Sequence, residues 1–463
     1  MAAYNCGLRM IIPLKMICVY GAILLIGSCI DDAYFYLNNK IGFHKMDVVL
    51  LSWHPKTRLT TDIGSRTLIG VPLVVNLCRD GGSWLILTFQ NEIHILAILL
   101  PHHRESPKQP IPSPKSPSQM ADKPTVLLIE SSVQAVDVER RQKLANNFNL
   151  VHYDCESTLQ FIEELKPGGR FANIVAIIRN GWHKAGKFAN HAPFATEIVP
   201  YYPSSLKIIC CSGHGYDAAD IPAITVRGIW YCNTPNACTE AVANTALSLV
   251  VDSFRHLSFA QWCARNDWMQ SRDLGLTAVE PFGKSIGIVG LGDIGLAIAQ
   301  KCEAAFQMKF HYQGPRRKPL AEGKLAHGAI YYSTVDEMIP EIDCIVLAAP
   351  YTKDTHHLLA SKQFSLAKKQ GLRVVNIARG KMIDETALIE ALESNQVVGA
   401  GLDVHGNEPG VNPKLRDNWR VTLLPHIGVC SQNSWENFER INLDNIEAYF
   451  ATGRPLTPVN DIA

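Results

Sequence analysis

From residue 123 onward, short apolar runs alternate with amphipathic stretches. TVLLIE (125–130), IVAIIR (174–179) and LKIICC (206–211) are continuous apolar runs of strand length. This is the pattern of parallel strands buried on both faces. CTEAVANTALSLVVDSF (238–254) instead carries its apolar positions at helical spacing. KSIGIVGLGDIGLAIAQKC (284–302) opens a second series of strands, continued by KFHY (309–312), CIVLAA (344–349), RVVNIA (373–378), GAGLDV (399–404) and VTLLP (421–425). Strands alternating with helices predict an α/β protein with doubly wound parallel sheets. The two blocks differ in size, which predicts two domains with a cleft between them. A last helix, about 434–451, places Trp435, Phe438, Ile446 and Tyr449 at helical spacing and stops at Gly453. It is expected to pack back on the first block.

The first 119 residues follow another pattern. MICVYGAILLIGSCI (16–30) is an uncharged apolar run behind Lys15. It is shorter than the roughly 18 residues wanted for a membrane span and has the length of a signal-sequence core. WLILTFQNEIHILAILL (84–100) is interrupted by Glu92 and His94. PHHRESPKQPIPSPKSPSQ (101–119) is rich in Pro and Ser and reads as an extended linker. Met120 then opens MADKPTVLLIE, which looks like the start of a cytosolic domain. Residues 1–119 thus have three readings: a membrane anchor, a targeting segment, or an extension that the catalytic fold does not need. The last is favoured, with a cytoplasmic protein as its consequence. Membrane attachment or targeting through residues 1–30 is the alternative.

Bulk charge and cysteine usage narrow the function. A formal net charge of +1 argues against a general nucleic-acid binder. Thirteen scattered cysteines without a C-x-x-C pair suggest reduced thiols. No His/Cys cluster has metal-ligand spacing, so no metal site is expected.

GLGDIG (290–295) lies between a strand and a helix, the context in which three spaced glycines signal a dinucleotide site. Gly290 allows the tight turn, Gly292 lets the backbone approach a pyrophosphate, and Gly295 lets helix and strand pack. Asp293 and Ile294 complete the loop. An acid for the ribose 2′-hydroxyl is expected about 20 residues further on. No Asp or Glu occurs between Gln307 and Leu320, where HYQGPRRKP stands instead. Arg316 and Arg317 are the candidates for holding a 2′-phosphate, with Lys318 as a looser charge. NADP is therefore the preferred cofactor, with NAD possible. A solvated basic loop is the bland alternative.

Three further stretches each follow a strand: NIARG (376–380) with Arg379, DVHGNEP (403–409) with Glu408, and PHIG (425–428) with His426. Open α/β sheets bind ligands beyond the carboxyl ends of their strands. A cation, a carboxylate and an imidazole on successive loops can converge there.

With these motifs in order, the chain from about 123 to 460 resembles the D-isomer-specific 2-hydroxyacid dehydrogenase family. The likeness covers GIVGLGDIG, DCIVLAAPYTKDTHHLL (343–359), VVNIARGKMIDETALIEAL (374–392), GAGLDVHGNEP (399–409) and LLPHIG (423–428). IIRNGWHKAG (177–186) and the GPRR loop look most like fungal NADPH-using enzymes of the mandelate or glyoxylate type. The resemblance implies a Rossmann domain inserted into a flavodoxin-like substrate domain. Its boundaries are 120–235 and 428–463 for the substrate domain and 236–427 for the dinucleotide-binding domain. It implies His426 as acid/base, Glu408 as its partner and Arg379 as substrate anchor. Gly213, His214 and Gly215 match a loop that offers N–H groups to a carboxylate. Arg179 and Asn180 would line the pocket and Trp182 close it. Thr239, Pro350, Ala378, Asp403 and Gly428 fall on positions that meet the cofactor, with Asp403 at the nicotinamide amide. Val429 and Cys430 replace the family's usual small residues. The implied substrate is a small 2-oxo or 2-hydroxy acid, and the implied assembly is a homodimer. A dinucleotide-sensing corepressor with little turnover is the alternative from another class. A formate-type dehydrogenase, which would not need Glu408, is a third reading.

Overall fold

The computed structural model describes residues 10–19, 22–26, 77–79, 82–84, 86–90, 92–97, 123–130, 137–180 and 193–462. The chain divides into two compact units, Met1–Lys115 and Ser116–Ala463. In the first unit, β1 (Met10–Val19), β2 (Ala22–Ile26), β5 (Ile86–Gln90) and β6 (Glu92–Ala97) form a sheet ordered β2-β1-β6-β5. Its pairings are all antiparallel. β3 (Leu77–Arg79) pairs with β4 (Gly82–Trp84). Of the apolar run that reads as a signal core, residues 16–19 lie on β1 and 22–26 on β2, and the rest lie outside the described residues. Among the described residues, no helix is long and apolar enough to cross a membrane. The Pro/Ser-rich segment and Trp182 lie outside the described residues.

The second unit holds two parallel sheets. One consists of β7 (Thr125–Glu130), β8 (Asn149–His152), β9 (Ile174–Asn180), β10 (Ile208–Cys211) and β11 (Trp230–Cys232), ordered β11-β10-β9-β7-β8. Renumbered from its own first strand, that is the flavodoxin-like order 2-1-3-4-5. The other consists of β12 (Ser285–Val289), β13 (Lys309–Gln313), β14 (Ile330–Tyr332), β15 (Cys344–Leu347), β16 (Leu372–Asn376), β17 (Val397–Leu402) and β18 (Val421–Leu423). Its order, β14-β13-β12-β15-β16-β17-β18, is the Rossmann order 3-2-1-4-5-6 with one strand added. The apolar runs became central strands because both of their faces are covered. Val126, Leu127, Ile177, Ile208 and Ile209 are fully buried, as are Ile286, Ile345, Val346 and Val374.

The helix Thr239–Arg255 covers the nucleotide sheet, with Val242, Ala246, Leu249 and Val250 in one core with Ile286, Ile288 and Val346. The last helix, Gln432–Thr452, is capped by Ser431 and ends on Gly453 in the left-handed region. Its Leu443 and Ile446 sit in the core of the first sheet with Val126, Leu128 and Ile208. Its Phe438 sits in the core of the nucleotide sheet. One helix therefore joins both sheets, and the carboxyl ends of β9, β10, β16, β17 and β18 carry the candidate residues.

Candidate active site

Residues of the nucleotide sheet brace the chemical loops before any ligand arrives. The buried Asn376 at the end of β16 accepts from Ala378 N at 3.0 Å and donates to Arg379 O at 2.9 Å. This closes the short turn that presents Arg379. After β17, Glu408 accepts from His405 N at 3.0 Å. The His405 ring lies 2.8 Å, through Nε2, from the Leu424 carbonyl at the end of β18. Two neighbouring loops are thereby tied together, and His426 stands on the second.

His426 Nδ1 lies 3.1 and 3.0 Å from the two carboxylate oxygens of Glu408. The pair is well shielded, at 18% and 8% side-chain exposure, which strengthens its electrostatics. Glu408 fixes the orientation of the ring. With Nδ1 engaged, Nε2 is the nitrogen suited to exchange a proton with a substrate. His426 has φ +57°, a strained conformation for a residue with a side chain. Asp403 holds it there, accepting from Ile427 N and Gly428 N at 2.8 Å each. Burial pushes the Asp403 carboxyl up, while those two N–H groups and His426 pull it down. Both of its oxygens thus accept from the histidine loop.

The loop after β10 is braced from within the protein. Gly213 N donates to Thr234 Oγ1 at 2.8 Å, so its N–H is occupied within the protein. Asn233 Nδ2 holds the His214 carbonyl at 2.8 Å. Among the described residues the His214 and Gly215 N–H groups make no backbone hydrogen bond. These two are what the loop can offer an anion. A Cβ on Gly215 would lie 1.9 Å from Arg379 Nη2, so only glycine lets the guanidinium settle against this loop. Arg379 also pairs with Asp217, a residue to which the sequence motifs assign no part.

Arg179 and Asn180 are neighbours on β9, so their side chains leave on opposite faces. Arg179 Nη1 reaches Cys211 Sγ at 3.6 Å. Asn180 instead meets Glu130 at 3.3 Å and accepts from Asn442 Nδ2 at 2.8 Å. Asn442, on the last helix, also donates to Ser212 Oγ at 3.0 Å.

At the glycine loop, Gly290 has φ +93°, and a Cβ there would lie 2.9 Å from Ala348 O. At Gly295 it would lie 2.2 Å from Gly290 O, whereas at Gly292 nothing stands within 4 Å. Packing is tight where strand and helix meet and open where a pyrophosphate would sit. The helix Asp293–Phe306 begins at Gly292 without a side-chain cap, so its first N–H groups face that opening. These residues fit a dinucleotide. Thr239 opens the helix Thr239–Arg255, while Pro350 and Ala378 follow β15 and β16 on the same edge.

At the ribose end, Arg317 is not an isolated cation. Its Nε donates to Glu322 at 3.0 and 3.2 Å, and its Nη2 at 2.9 Å. Tyr312 also donates to Glu322, and Lys318 N donates to Tyr312 Oη at 2.8 Å. Glu322 is buried at 8% exposure. Hydrogen bonds from Arg317, then from Tyr312, hold its carboxyl below the usual range. Arg316 is exposed and has no ion-pair partner among the described residues. Among those residues, no group of three His, Cys, Asp or Glu is placed to hold a metal ion.

Residues 247–428 match the family model "D-isomer specific 2-hydroxyacid dehydrogenase, NAD binding domain". The chain is 33% identical over 338 residues to 4-methyl-2-oxopentanoate reductase A of Aspergillus oryzae, covering 73% of this chain and 98% of that one. It is 35% identical over 260 residues to a glyoxylate reductase of Pyrococcus horikoshii, covering 55% and 76%. The structure resembles holo D-mandelate dehydrogenase of Rhodotorula graminis with a TM-score of 0.68 at 32% identity, covering 74% and 99%. Fold and site together define an NAD(P)-dependent oxidoreductase. The protein belongs to the D-isomer-specific 2-hydroxyacid dehydrogenase family.

Proposed function

We propose that the protein is an NADPH-preferring reductase that converts a small 2-oxo acid into its D-2-hydroxy acid. The observation that carries this reading is the shielded His426–Glu408 pair, which shares the carboxyl edge of the nucleotide sheet with Arg379 on the loop after β16. Bound NADPH supplies the hydride that reaches the carbonyl carbon. His426 gives the carbonyl oxygen a proton from Nε2 and, in the reverse direction, accepts one. Arg379 stabilises negative charge as it grows on that oxygen and engages the substrate carboxylate. The N–H groups of His214 and Gly215 complete the carboxylate site.

NADPH preference is supported by the absence of an acid between Gln307 and Leu320 and by the unpaired Arg316. An NADPH-dependent glyoxylate/hydroxypyruvate reductase of Sinorhizobium meliloti, solved with NADP and malonate, shares 28% identity with a TM-score of 0.59. A homodimer is supported by exposed apolar residues of one segment, Trp268 at 73% and Leu276 at 86% exposure.

The test follows NADPH and NADH oxidation by the full chain and by residues 120–463. Glyoxylate, hydroxypyruvate, 4-methyl-2-oxopentanoate and phenylglyoxylate form the panel. Faster oxidation of NADPH by both chains supports the reading and makes residues 1–119 dispensable. Binding of both dinucleotides without turnover of any acid leaves the sensor reading in its place.

A further inference from the structure

Arg379 is already held before substrate arrives. Nε donates to both carboxylate oxygens of Asp217 at 3.1 Å, and Nη2 donates to Oδ1 at 2.8 Å. Nη1 donates to the Ala378 carbonyl at 2.8 Å. A guanidinium has five N–H groups in one plane, one on Nε and two on each terminal nitrogen. Asp217 takes the side of the fork and Ala378 takes one N–H of Nη1. One N–H on each terminal nitrogen is left for a ligand.

The partner comes from the other sheet. Asp217 lies on the loop after β10 of the substrate sheet, and Arg379 follows β16 of the nucleotide sheet, 162 residues away in sequence. The same loop brings Gly215 against Nη2 so closely that a Cβ there would lie 1.9 Å from it. Asp217 thus sets the guanidinium against the loop that carries His214 and Gly215. Both partners are about a third exposed, at 34% and 31%. An ion pair that exposed contributes little to stability.

We propose that Asp217 is a positioning residue for reduction of the 2-oxo acid. By holding Nε and Nη2 from the other sheet it decides which N–H groups of Arg379 meet the substrate. It thereby couples catalysis to the approach of the two sheets. The proposal rests on the reading of Arg379 as substrate anchor.

The experiment uses the full chain, saturating NADPH, and glyoxylate and 4-methyl-2-oxopentanoate as probes. Asp217→Asn is expected to lower kcat/KM for both acids about 100-fold, the scale of an anchor displaced by about an ångström. NADPH affinity, read by cofactor fluorescence, and the thermal midpoint stay near wild type. Asp217→Glu recovers part of the loss. A second readout uses Arg379→Ala with added guanidinium ion. Activity returns when Asp217 is present to hold the ion and does not return in Arg379→Ala/Asp217→Asn. Wild-type kcat/KM in Asp217→Asn overturns the proposal, as does rescue that ignores Asp217. A loss of NADPH affinity or a large fall in thermal midpoint does so too, because it makes the pair a structural latch. Full activity in Arg379→Ala sinks the anchor reading itself, which is a different outcome.

Discussion

The two ends of the nucleotide domain treat their charges differently. At the catalytic end every charged group is engaged by a residue from another loop or the other sheet: His426 by Glu408, Arg379 by Asp217, and Asp403 by the N–H groups of Ile427 and Gly428. At the ribose end, Arg317 is engaged by Glu322 from its own loop, and exposed Arg316 has no ion-pair partner among the described residues. A charge held by the protein works through its geometry. A charge left unpaired is available to a ligand. Two adjacent arginines can therefore do different things, which a count of basic residues cannot reveal.

The comparison can be broken or sharpened by substitution. His426→Gln removes the proton donor and is expected to lower kcat about 1000-fold with cofactor binding intact. Retained turnover would show that the shielded pair is not the acid. Glu408→Gln, which keeps the shape but loses the charge, should cost about 100-fold in kcat. Arg316→Ala should raise KM for NADPH about 10-fold, as loss of a charged hydrogen bond does, and leave NADH unaffected. Arg317→Ala should change the NADPH preference less and the thermal midpoint more. Equal effects of the two on NADPH would erase the distinction drawn between them.

The smallest effect concerns acid stability. Glu322 is held below its ordinary range, so its folded value is depressed relative to the unfolded chain. Its contribution is present above the unfolded value of about 4.3 and is lost as pH falls through the folded value. Glu322→Gln should lower the thermal midpoint slightly at neutral pH and lose less on acidification. Parallel acid titrations of midpoint for the variant and the wild type would contradict this.

The central strands and the long helices were legible in the sequence, because burial on both faces writes a continuous apolar run and a helix writes its own period. Boundaries moved by a residue or two: KFHY became Lys309–Gln313 and GAGLDV became Val397–Leu402. The strands β8, β11 and β14, short pieces at sheet edges, were not read from the sequence. Arg379, Glu408 and His426 were legible because each follows a strand of the nucleotide sheet. Their partners divide by distance. Glu408 and His426 lie 18 residues apart on adjacent loops, whereas Asp217 lies 162 residues from Arg379 on the other sheet. Glu322 lies just beyond Leu320, where the search for a ribose acid ends, and a turn brings it back to Arg317. The bond from Gly213 N to Thr234 across the loop is likewise invisible in the sequence.

The helix Gln432–Thr452 has a consequence for how the protein is made. Its Leu443 and Ile446 cover the face of the first sheet that carries Val126, Leu128, Ala176 and Ile208. On the ribosome those strands emerge long before their cover, with the whole nucleotide domain between them. Domains tend to fold as units during synthesis. The nucleotide domain can therefore finish first, while the older half waits with an apolar face open to chaperones. The helix thus completes a sheet whose strands were translated before the nucleotide domain.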